Sequence, residues 1–326
     1  MDLELSDEQT WLYEAVETLL ERDPEHRRVW ASLVEFGALA IGGDDGLGAI
    51  EMCLIARALG AHLAPTPFVG SAAVRFAGWP GEDTAAVALL EPGSGWSAPP
   101  ACIAEGGVVN GRKLAVEHAD AVRRLAVVAA SADGPVLAIV ERDAPGVTLS
   151  AQPTFDPSVP MFAVDLVDAP FAGEPLGAAA IERLTTVGAL LAAAEAVGAA
   201  GRLFEDACRY SRERRQFGRP ISSFQALRHL LADLYVRQAS AWSSVLYAAA
   251  ALDEDAVDAR RTAAIAKAYV SRAAREVAHG AIQVFGGIAV TAEHPAHRFL
   301  RRVIVREQQF GDAAHHERAL GRALAA

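Results

Sequence analysis

Residues 1–82 carry apolar side chains mainly at intervals of three and four residues, which is the spacing of amphipathic helices. Ser6 followed by Gln9 is a capping-box pattern, and it predicts the start of the first helix. Two further helices are predicted over about 28–36 and about 47–60. We therefore predict an N-terminal helical domain over 1–82.

Residues 83–175 have a different pattern, with short runs rich in β-forming residues between turn residues. The runs are AAVALL, VVNGRKLAV, RRLAVVAA, PVLAIVE, GVTLSA and FAVDLVDAPF. Asn110-Gly111, which lies between two apolar runs, is a hairpin signal. No helical segment alternates with these runs, so the pattern predicts a middle domain built as an antiparallel sandwich or barrel.

From residue 176 the helical spacing returns and continues to residue 326. Four long helices with short connections are predicted, a pattern typical of a bundle. Their approximate ranges are 180–215, 221–253, 256–284 and 296–324. Ser222 and Ser223 are predicted to cap the second helix. The predicted fold class is α+β multidomain, with an N-terminal α-helical domain, a middle antiparallel β domain and a C-terminal four-helix bundle.

Composition and charge narrow the function classes. Of the 326 residues, 52% are hydrophobic and 22% are charged, and the net charge of −11 disfavours general binding to nucleic acid. Cys53, Cys102 and Cys208 are odd in number and lack CxxC spacing, which is typical of a reducing cytoplasm. Met1 leads into an acidic segment, and charges or glycines interrupt the apolar runs. Neither a secretory signal nor a transmembrane helix is therefore expected.

One stretch departs from the acidic balance. RERRQFGRPISSFQ, residues 212–225, places four arginines beside a phenylalanine and a glycine at a helix junction. A forked guanidinium such as that of Arg214 can hold a pyrophosphate through paired, charge-assisted hydrogen bonds. The alternative is a solvated helix end, and the cluster by itself leaves both interpretations open.

Gly286 and Gly287 form a second candidate site. Because glycine has no Cβ, the backbone there can approach a phosphate or a ribose closely. Gln283 nearby offers both an amide donor and an acceptor. The alternative for the two glycines is a helix C-cap.

Four histidines in the last part of the sequence are candidate metal ligands by residue type. No matched carboxylate or cysteine arrangement accompanies them, so no metal site is predicted and solvated or hydrogen-bonded imidazoles are expected. These histidines are His294, His297, His315 and His316.

Two motifs resemble the signatures of the acyl-CoA dehydrogenase family. The first contains Tyr210, the run 214–218 and Phe224-Gln225, and the second is the run 283–287 followed by His294-Pro295. VVNGRKLAV and RDAPGVT resemble the family's middle domain, and LSDEQ and WASLVEFGALA resemble its opening helices. The resemblance implies FAD as cofactor, with both motifs serving the flavin of a neighbouring subunit. The implied cofactor-binding residues are Arg214, Gln216, Phe217, Gln225, Gln283, Gly286 and Gly287.

The resemblance also implies removal of two hydrogens from an acyl-CoA thioester. In the family a glutamate takes the α-proton while a hydride leaves the β-carbon for the flavin. One of the two family positions for this base is occupied here by Phe310, and the other, 22 residues before Tyr210, by Gly188. No catalytic residue is therefore predicted, and Glu182 and Asp312 remain weak candidates.

Each weak candidate has a geometric drawback. Glu182 lies six residues before Gly188, which is about 9 Å of helix rise. Asp312 is adjacent to the family position but has a shorter side chain. Glu195 lies seven residues after Gly188 and is predicted to be a buried or bundle-facing polar residue.

The family motif around the flavin ring is only partly retained. The segment 90–95 keeps the family's Glu-Pro-Gly, but Leu90 replaces a threonine that hydrogen-bonds the ring, and Trp96 replaces a serine. Ala115-Val116-Glu117 takes the place of the family's Trp-Ile-Thr. A carboxylate at Glu117 is unfavourable beside a flavin or its pyrophosphate.

The losses therefore affect the chain's own flavin site, whereas the residues lent to a neighbour's flavin are kept. This division resembles the base-lacking subunit of bacterial α2β2 family members, several of which act in steroid degradation. We predict an oxidoreductase subunit of lipid metabolism, an FAD flavoprotein that works as a cytoplasmic heterotetramer. The implied partners are a sister acyl-CoA dehydrogenase subunit, an acyl-CoA substrate and an electron-transferring flavoprotein. A self-sufficient homomer with Glu182 or Asp312 as base, and a flavin-free scaffold subunit, are the alternatives.

Overall fold

The computed structural model of the chain describes residues 4–40, 46–81 and 83–325. Met1, on which the expectation of no secretory signal rests, and residue 82, the first predicted domain boundary, lie outside these ranges. The described chain divides into two compact units, 1–29 with 48–64 and 189–326, and 30–47 with 65–188. The division into 1–82, 83–175 and 176–326 stays a prediction.

Nine α-helices occur among the described residues, and eight of them lie in the segments where the apolar spacing predicts helices. The exception is α4, which follows Pro65 and Pro67, where the predicted helical pattern stops. The capping box at the start of the first is confirmed, since Gln9 N donates to Ser6 Oγ at 3.1 Å and Ser6 N donates to Gln9 Oε1 at 3.1 Å. The helices are α1 Asp7–Arg22, α2 Val29–Glu35, α3 Ala49–Ala61, α4 Phe68–Phe76, α5 Ala178–Glu213, α6 Gln225–Asp253, α7 Ala259–Phe285, α8 Ala296–Gln308 and α9 Ala313–Ala325.

In the first unit, α3 and α5 pack at backbone distance. A Cβ added to Gly198 would lie 1.9 Å from the carbonyl oxygen of Arg57, and one added to Gly60 would lie 2.0 Å from that of Glu195. Only glycine fits such a crossing. Among the described residues, α5 is the one helix that is long and apolar enough to cross a membrane, but 89% of its most apolar stretch is buried within the protein.

The fourth predicted helix, 296–324, is wrong as a single element. It is two helices, α8 and α9, and the chain between them turns at Phe310 with φ +54° and Gly311 with φ +99°. Left-handed backbone at two successive residues cannot continue an α-helix. The α9 helix then begins with the carboxylate of Asp312 accepting a hydrogen bond from the backbone N–H of His315 at 2.7 Å.

The second unit contains a seven-stranded sheet in the order β1-β4-β2-β3-β7-β6, with β5 pairing β4. Most pairs are antiparallel, as predicted for the middle domain, but β1–β4 and β2–β4 run parallel. The strands are β1 Ala85–Ala88, β2 Ile103–Glu105, β3 Val108–Glu117, β4 Arg124–Ser131, β5 Gly134–Glu141, β6 Val147–Gln152 and β7 Met161–Pro170. Alternate apolar side chains of these strands form one core, which includes Val109, Val116, Leu125 and Val164.

The predicted hairpin turn at Asn110-Gly111 is wrong. The turn lies at Gly106 and Gly107, both with positive φ, between the paired residues Glu105 and Val108. Asn110-Gly111 instead forms an irregularity inside β3. The side chain of Asn110 exchanges hydrogen bonds with Asp168 of β7, and Asp168 N donates to Asn110 Oδ1 at 2.8 Å.

Candidate functional site

The arginine-rich segment forms a tight hairpin between α5 and α6. Arg215–Gln216 (β8) pairs with Arg219–Pro220 (β9), and the two residues between them, Phe217 and Gly218, have φ of +51° and +78°. A two-residue loop with positive φ at both positions matches the right-handed twist of paired strands. At the base of the hairpin, Ile221 N donates to the Arg214 carbonyl at 2.8 Å.

The turn residue Phe217 is strained and exposed. Left-handed backbone costs a residue with a Cβ about 1–2 kcal/mol. The side chain is nevertheless 92% exposed, so burial of apolar surface within the chain does not offset this cost. Its ring makes an edge contact with Phe224, at 6.1 Å between centroids.

The arginines of the hairpin have different surroundings. Arg215 Nη1 lies 3.5 Å from the carbonyl of Gly218, and the guanidinium of Arg219 lies 4.2 Å above the ring of Phe224. The exposed guanidinium of Arg214 has no hydrogen-bond or ion-pair partner in the described ranges. Arg214 is therefore available to an external anion.

The predicted serine cap of α6 is wrong. Ser223 donates its hydroxyl to the Pro220 carbonyl at 2.7 Å within a 3₁₀ turn over Ile221–Ser223, and Phe224 occupies the N-cap without a side-chain hydrogen bond. The first residue of α6, Gln225, is exposed. The uncapped N–H groups of a helix start carry partial positive charge, which favours an anion nearby.

The second motif lies at the end of α7. Gln283 is exposed on the last turn, and Gly286 terminates the helix with φ +68°, so the C-cap interpretation holds for Gly286. Gly287 lacks a positive φ, and a Cβ added there would meet no described atom within 4 Å. The chain's own described packing therefore does not require glycine at 287, and open space lies beside this backbone.

Aromatic contacts join the two motifs. The ring of Tyr210 on α5 lies 5.2 Å from that of Phe285 at the end of α7, and Phe285 lies 4.5 Å from the ring of His294. The structure thus brings the end of α5, which leads into the hairpin, together with the end of α7, which leads into Gly286. Residues more than seventy positions apart in the sequence become neighbours in one unit.

Neither family position supplies a carboxylate. Gly188 is buried within α5, and Glu182 is exposed near its start. Glu195 is buried and forms ion pairs with Arg302 Nη1 at 2.7 Å and Arg306 Nε at 2.8 Å. This confirms the bundle-facing position predicted for Glu195.

The segment around Phe310 is held by buried basic groups. The carbonyl of Phe310 lies 3.0 Å from Nε2 of His316, and burial lowers the pKa of His316 to about 4. Lys267 donates to the carbonyl of Arg306, and burial lowers the pKa of Lys267 to about 7. Asp312, the weak candidate beside Phe310, accepts a hydrogen bond from His315 N at the start of α9 with one carboxylate oxygen.

Three of the four histidines named in the sequence analysis, His294, His315 and His316, have structural contacts. His294 accepts a hydrogen bond from Ala296 N at 3.2 Å, and His315 and His316 lie edge to face with centroids 5.0 Å apart. Among the residues that the structure describes, no group of three or more His, Cys, Asp or Glu side chains is placed to hold a metal ion.

On the other unit, Glu91 has a structural use. Its buried carboxylate accepts hydrogen bonds from Lys113 Nζ at 2.5 Å, Cys102 N at 2.9 Å and Ala101 N at 2.6 Å. Burial raises the pKa of this carboxyl, but the hydrogen bonds outweigh that effect and keep the pKa below its ordinary value. Sequence reasoning missed Lys113 as the partner, although a charged residue inside the apolar run VVNGRKLAV was the available signal.

Beside Glu91 lies a cavity of about 160 Å³. Sites for drug-sized ligands usually measure about 300–1,000 Å³. The lining hydroxyls are already used, since Ser94 Oγ donates to the Glu91 carbonyl at 2.9 Å and Thr185 Oγ1 to that of Ile181 at 2.9 Å. The apolar part of the lining includes Leu89, Leu90, Trp96, Val128 and Ile181. The two hydroxyls of this lining therefore offer a flavin ring no free O–H donor.

The end of β3 is the second place where the family's flavin-ring motif is altered. Ala115 has φ +52° and donates its N–H to Gln152 Oε1 at 2.8 Å, while Val116 points into the sheet core. Glu117 places Oε1 3.5 Å from Nε2 of His118. No aromatic side chain from these three positions is available to face a flavin.

The arginine-rich hairpin and the end of α7 both lie in a part of the chain that matches one protein family. Residues 176–325 match the C-terminal domain of acyl-CoA dehydrogenase. The acyl-CoA dehydrogenase IpdE2 of Mycolicibacterium smegmatis is 33% identical over 312 residues, covering 94% of this chain and 90% of that protein.

Two solved structures are similar over the whole chain. A chain of the ChsE4-ChsE5 complex from Mycobacterium tuberculosis has a TM-score of 0.89 at 27% identity, covering 100% of this chain and 99% of that one. A variant of the Tcur3481-Tcur3483 steroid ACAD has a TM-score of 0.89 at 26% identity, with 98% of each chain covered. Family membership implies an oxidoreductase acting on acyl-CoA and a flavin cofactor. The chain belongs to the acyl-CoA dehydrogenase family.

Proposed function

We propose that this chain is the base-lacking subunit of a heteromeric, FAD-dependent acyl-CoA dehydrogenase. It holds the ADP part of an FAD whose ring lies in a sister subunit. The observation that carries this proposal is the contrast between two sites. The exposed Arg214 guanidinium has no partner among the described residues, whereas the cavity beside Glu91, in the segment that resembles the family's flavin-ring motif, is small and its two hydroxyls donate within the chain.

The groups at the ADP side suit a pyrophosphate and its ribose. The guanidinium of Arg214 can form two parallel hydrogen bonds to phosphate oxygens. Gln216, Gln225 and Gln283 are exposed amides that can contact phosphate or ribose oxygens, and Phe217 offers an exposed ring. The backbone at Gly286 and Gly287 can come close to the cofactor, because an added Cβ would occupy open space there.

The sister subunit supplies the base in this proposal. Dehydrogenation of an acyl-CoA requires a carboxylate to accept the α-proton, and the bound flavin accepts the hydride from the β-carbon. Phe310 and Gly188 stand at the two family positions for that carboxylate. The proposal also includes an α2β2 assembly, a steroid-derived acyl-CoA as substrate and an electron-transferring flavoprotein as acceptor. The similarity to two-component complexes supports the assembly, and the naming of one of them as a steroid enzyme supports the substrate.

Flavin stoichiometry tests the division of labour. The chain is expressed alone and together with a sister acyl-CoA dehydrogenase chain that keeps the glutamate base, sought among the genes beside its own. We expect the chain alone to be colourless. We expect the complex to be active and to contain one FAD for each sister chain. A yellow, active homo-oligomer of this chain would overturn the proposal.

Arg214→Gln tests the cofactor contact within the assembled complex. Because a hydrogen bond to a charged group contributes about 1.5–3 kcal/mol, we expect FAD to bind about 10- to 100-fold more weakly. Arg212→Gln is the matched control, since it removes another exposed charge at the end of α5 and should leave FAD affinity unchanged. Equal FAD affinity of the Arg214 variant and the wild type would contradict the assignment.

A further inference from the structure

The charge of Arg219 has no ion-pair partner among the described residues, yet its guanidinium is not free of the chain. It lies 4.2 Å above the ring of Phe224, the N-cap residue of α6. Arg214 has no such contact in the described ranges. Two arginines in one cluster, both exposed, therefore have different local roles.

Phe224 also contacts the turn of the hairpin. The ring of Phe217 meets it edge to face at 6.1 Å with an interplanar angle of 80°. Phe224 is in turn anchored at the start of α6, because its N–H donates to the Ile221 carbonyl at 3.1 Å and its carbonyl accepts from Arg228 N at 3.1 Å. The Phe224 ring thus receives one contact from the second strand of the hairpin and one from its turn.

This arrangement explains how an exposed phenylalanine can remain in a left-handed turn. Positive φ at Phe217 is unfavourable for a bulky residue, and the exposed side chain gains little from burial. Cation–π and edge-to-face contacts to a helix-anchored ring favour this one hairpin conformation over alternatives. The contacts therefore pre-organise the hairpin before any ligand arrives.

We propose that Arg219 and Phe224 are positioning residues that clamp the 215–220 hairpin and keep Phe217 in the conformation that meets the FAD of the sister subunit. Arg219 then acts through Phe224 and does not ligate the pyrophosphate, which is left to Arg214. This inference rests on the proposed function and adds a division of labour within the arginine cluster.

A double-mutant cycle in the assembled complex tests the clamp. FAD affinity is measured for Arg219→Gln, Phe224→Leu and the double variant. Each single change should weaken FAD binding about two- to fivefold, the range of an exposed cation–π contact, and the double variant should bind no more weakly than Phe224→Leu alone. Phe224→Tyr keeps the aromatic face and should bind FAD as the wild type does.

If Arg219 instead ligates the phosphate, the double-mutant cycle gives a different result. Phe224→Leu would then leave FAD affinity unchanged, and Arg219→Gln would weaken binding equally with or without the Phe224 ring. That outcome overturns the clamp.

Limited trypsin digestion of the full chain without flavin gives an independent readout. Trypsin cuts after Arg214 and Arg215 but not between Arg219 and Pro220, so Arg219→Gln removes no cleavage site. We expect faster cleavage of the hairpin in Arg219→Gln and Phe224→Leu, and the wild-type rate in Phe224→Tyr. An unchanged cleavage rate in both Arg219→Gln and Phe224→Leu would overturn the clamp.

The failure of this inference is distinguishable from the failure of the proposed function. If Arg214→Gln leaves FAD affinity unchanged, the cofactor assignment fails, whatever the digestion shows. If Arg214→Gln weakens FAD but the effects of the Arg219 and Phe224 changes are additive, only the clamp fails.

Discussion

Replacing Glu195 with glutamine tests whether the buried glutamate of α5 has a structural or a catalytic role. The side chains of Glu195, Arg302 and Arg306 are 3%, 0% and 1% exposed, and the two ion pairs measure 2.7 and 2.8 Å. Glutamine is similar in size but uncharged, so both guanidinium groups lose the negative charge of Glu195. Breaking a buried pair from one side costs about 3–5 kcal/mol. Because Arg302 also donates to the carbonyls of Leu63 and Ala64, we expect a loss of about 3 kcal/mol, at the lower end of this range.

Urea unfolding followed by far-UV circular dichroism measures this loss as a shift of the transition midpoint. A loss of about 3 kcal/mol is large against a typical stability of about 5–15 kcal/mol. Glu205→Gln, the same substitution at an exposed position of α5, is the matched control and should stay within about 0.5 kcal/mol of the wild type.

A second change checks the electrostatic reason. If unpaired charge causes the loss, Arg306→Gln in the Glu195→Gln background should cost less than the sum of the two single changes. The reasoning is refuted if Glu195→Gln unfolds like the wild type while the assembled enzyme loses turnover. That result would assign Glu195 to catalysis.

Two further predictions concern the region around the break between α8 and α9 and the weak base candidates. Burial lowers the pKa of Lys267 from 10.5 to about 7, so the unfolded chain binds more protons between these values. Stability should therefore rise with pH from 7 towards 10.5, on the order of 1 kcal/mol per pH unit. Lys267→Met should lack this rise when urea midpoints are compared at neutral and alkaline pH, and parallel curves for the two proteins would contradict the reasoning. Glu182→Gln and Asp312→Asn should each leave turnover of the assembled complex within about twofold of the wild type, since asparagine also caps a helix; loss of turnover in either variant would favour a self-sufficient enzyme.

Local patterns predicted the elements well where one interaction dominates. The capping box at Ser6 needs only residues three positions apart, and it forms as predicted. Apolar spacing likewise located the helices, because the face of a helix that is buried is set by its own sequence. The two family motifs could be read from residue order alone, since each is contiguous or nearly so.

Two predicted elements were wrong, the turn at Asn110-Gly111 and the single helix over 296–324. Asn-Gly suits a tight turn, but the pair at 110 and 111 is held inside β3 by hydrogen bonds to Asp168, and two glycines nearby take the turn. The apolar spacing of 296–324 continues across Phe310 and Gly311, although the backbone breaks there. Each place also carried a competing local signal, Gly106-Gly107 in the first and Gly311 before the capping Asp312 in the second.

The sequence by itself determined the fold class, the two cofactor motifs and the lack of a glutamate at both family positions, because each depends on residue type and spacing. Only the tertiary structure decided how those residues are used. It paired Glu91 with Lys113, enclosed Glu195 between two arginines, and joined the ends of α5 and α7 through Tyr210 and Phe285. It also placed Arg219 on the Phe224 ring while leaving the Arg214 guanidinium without a partner in the described ranges. The reason is that pairing, burial and stacking depend on distances between side chains, and folding sets those distances across segments that the sequence keeps apart.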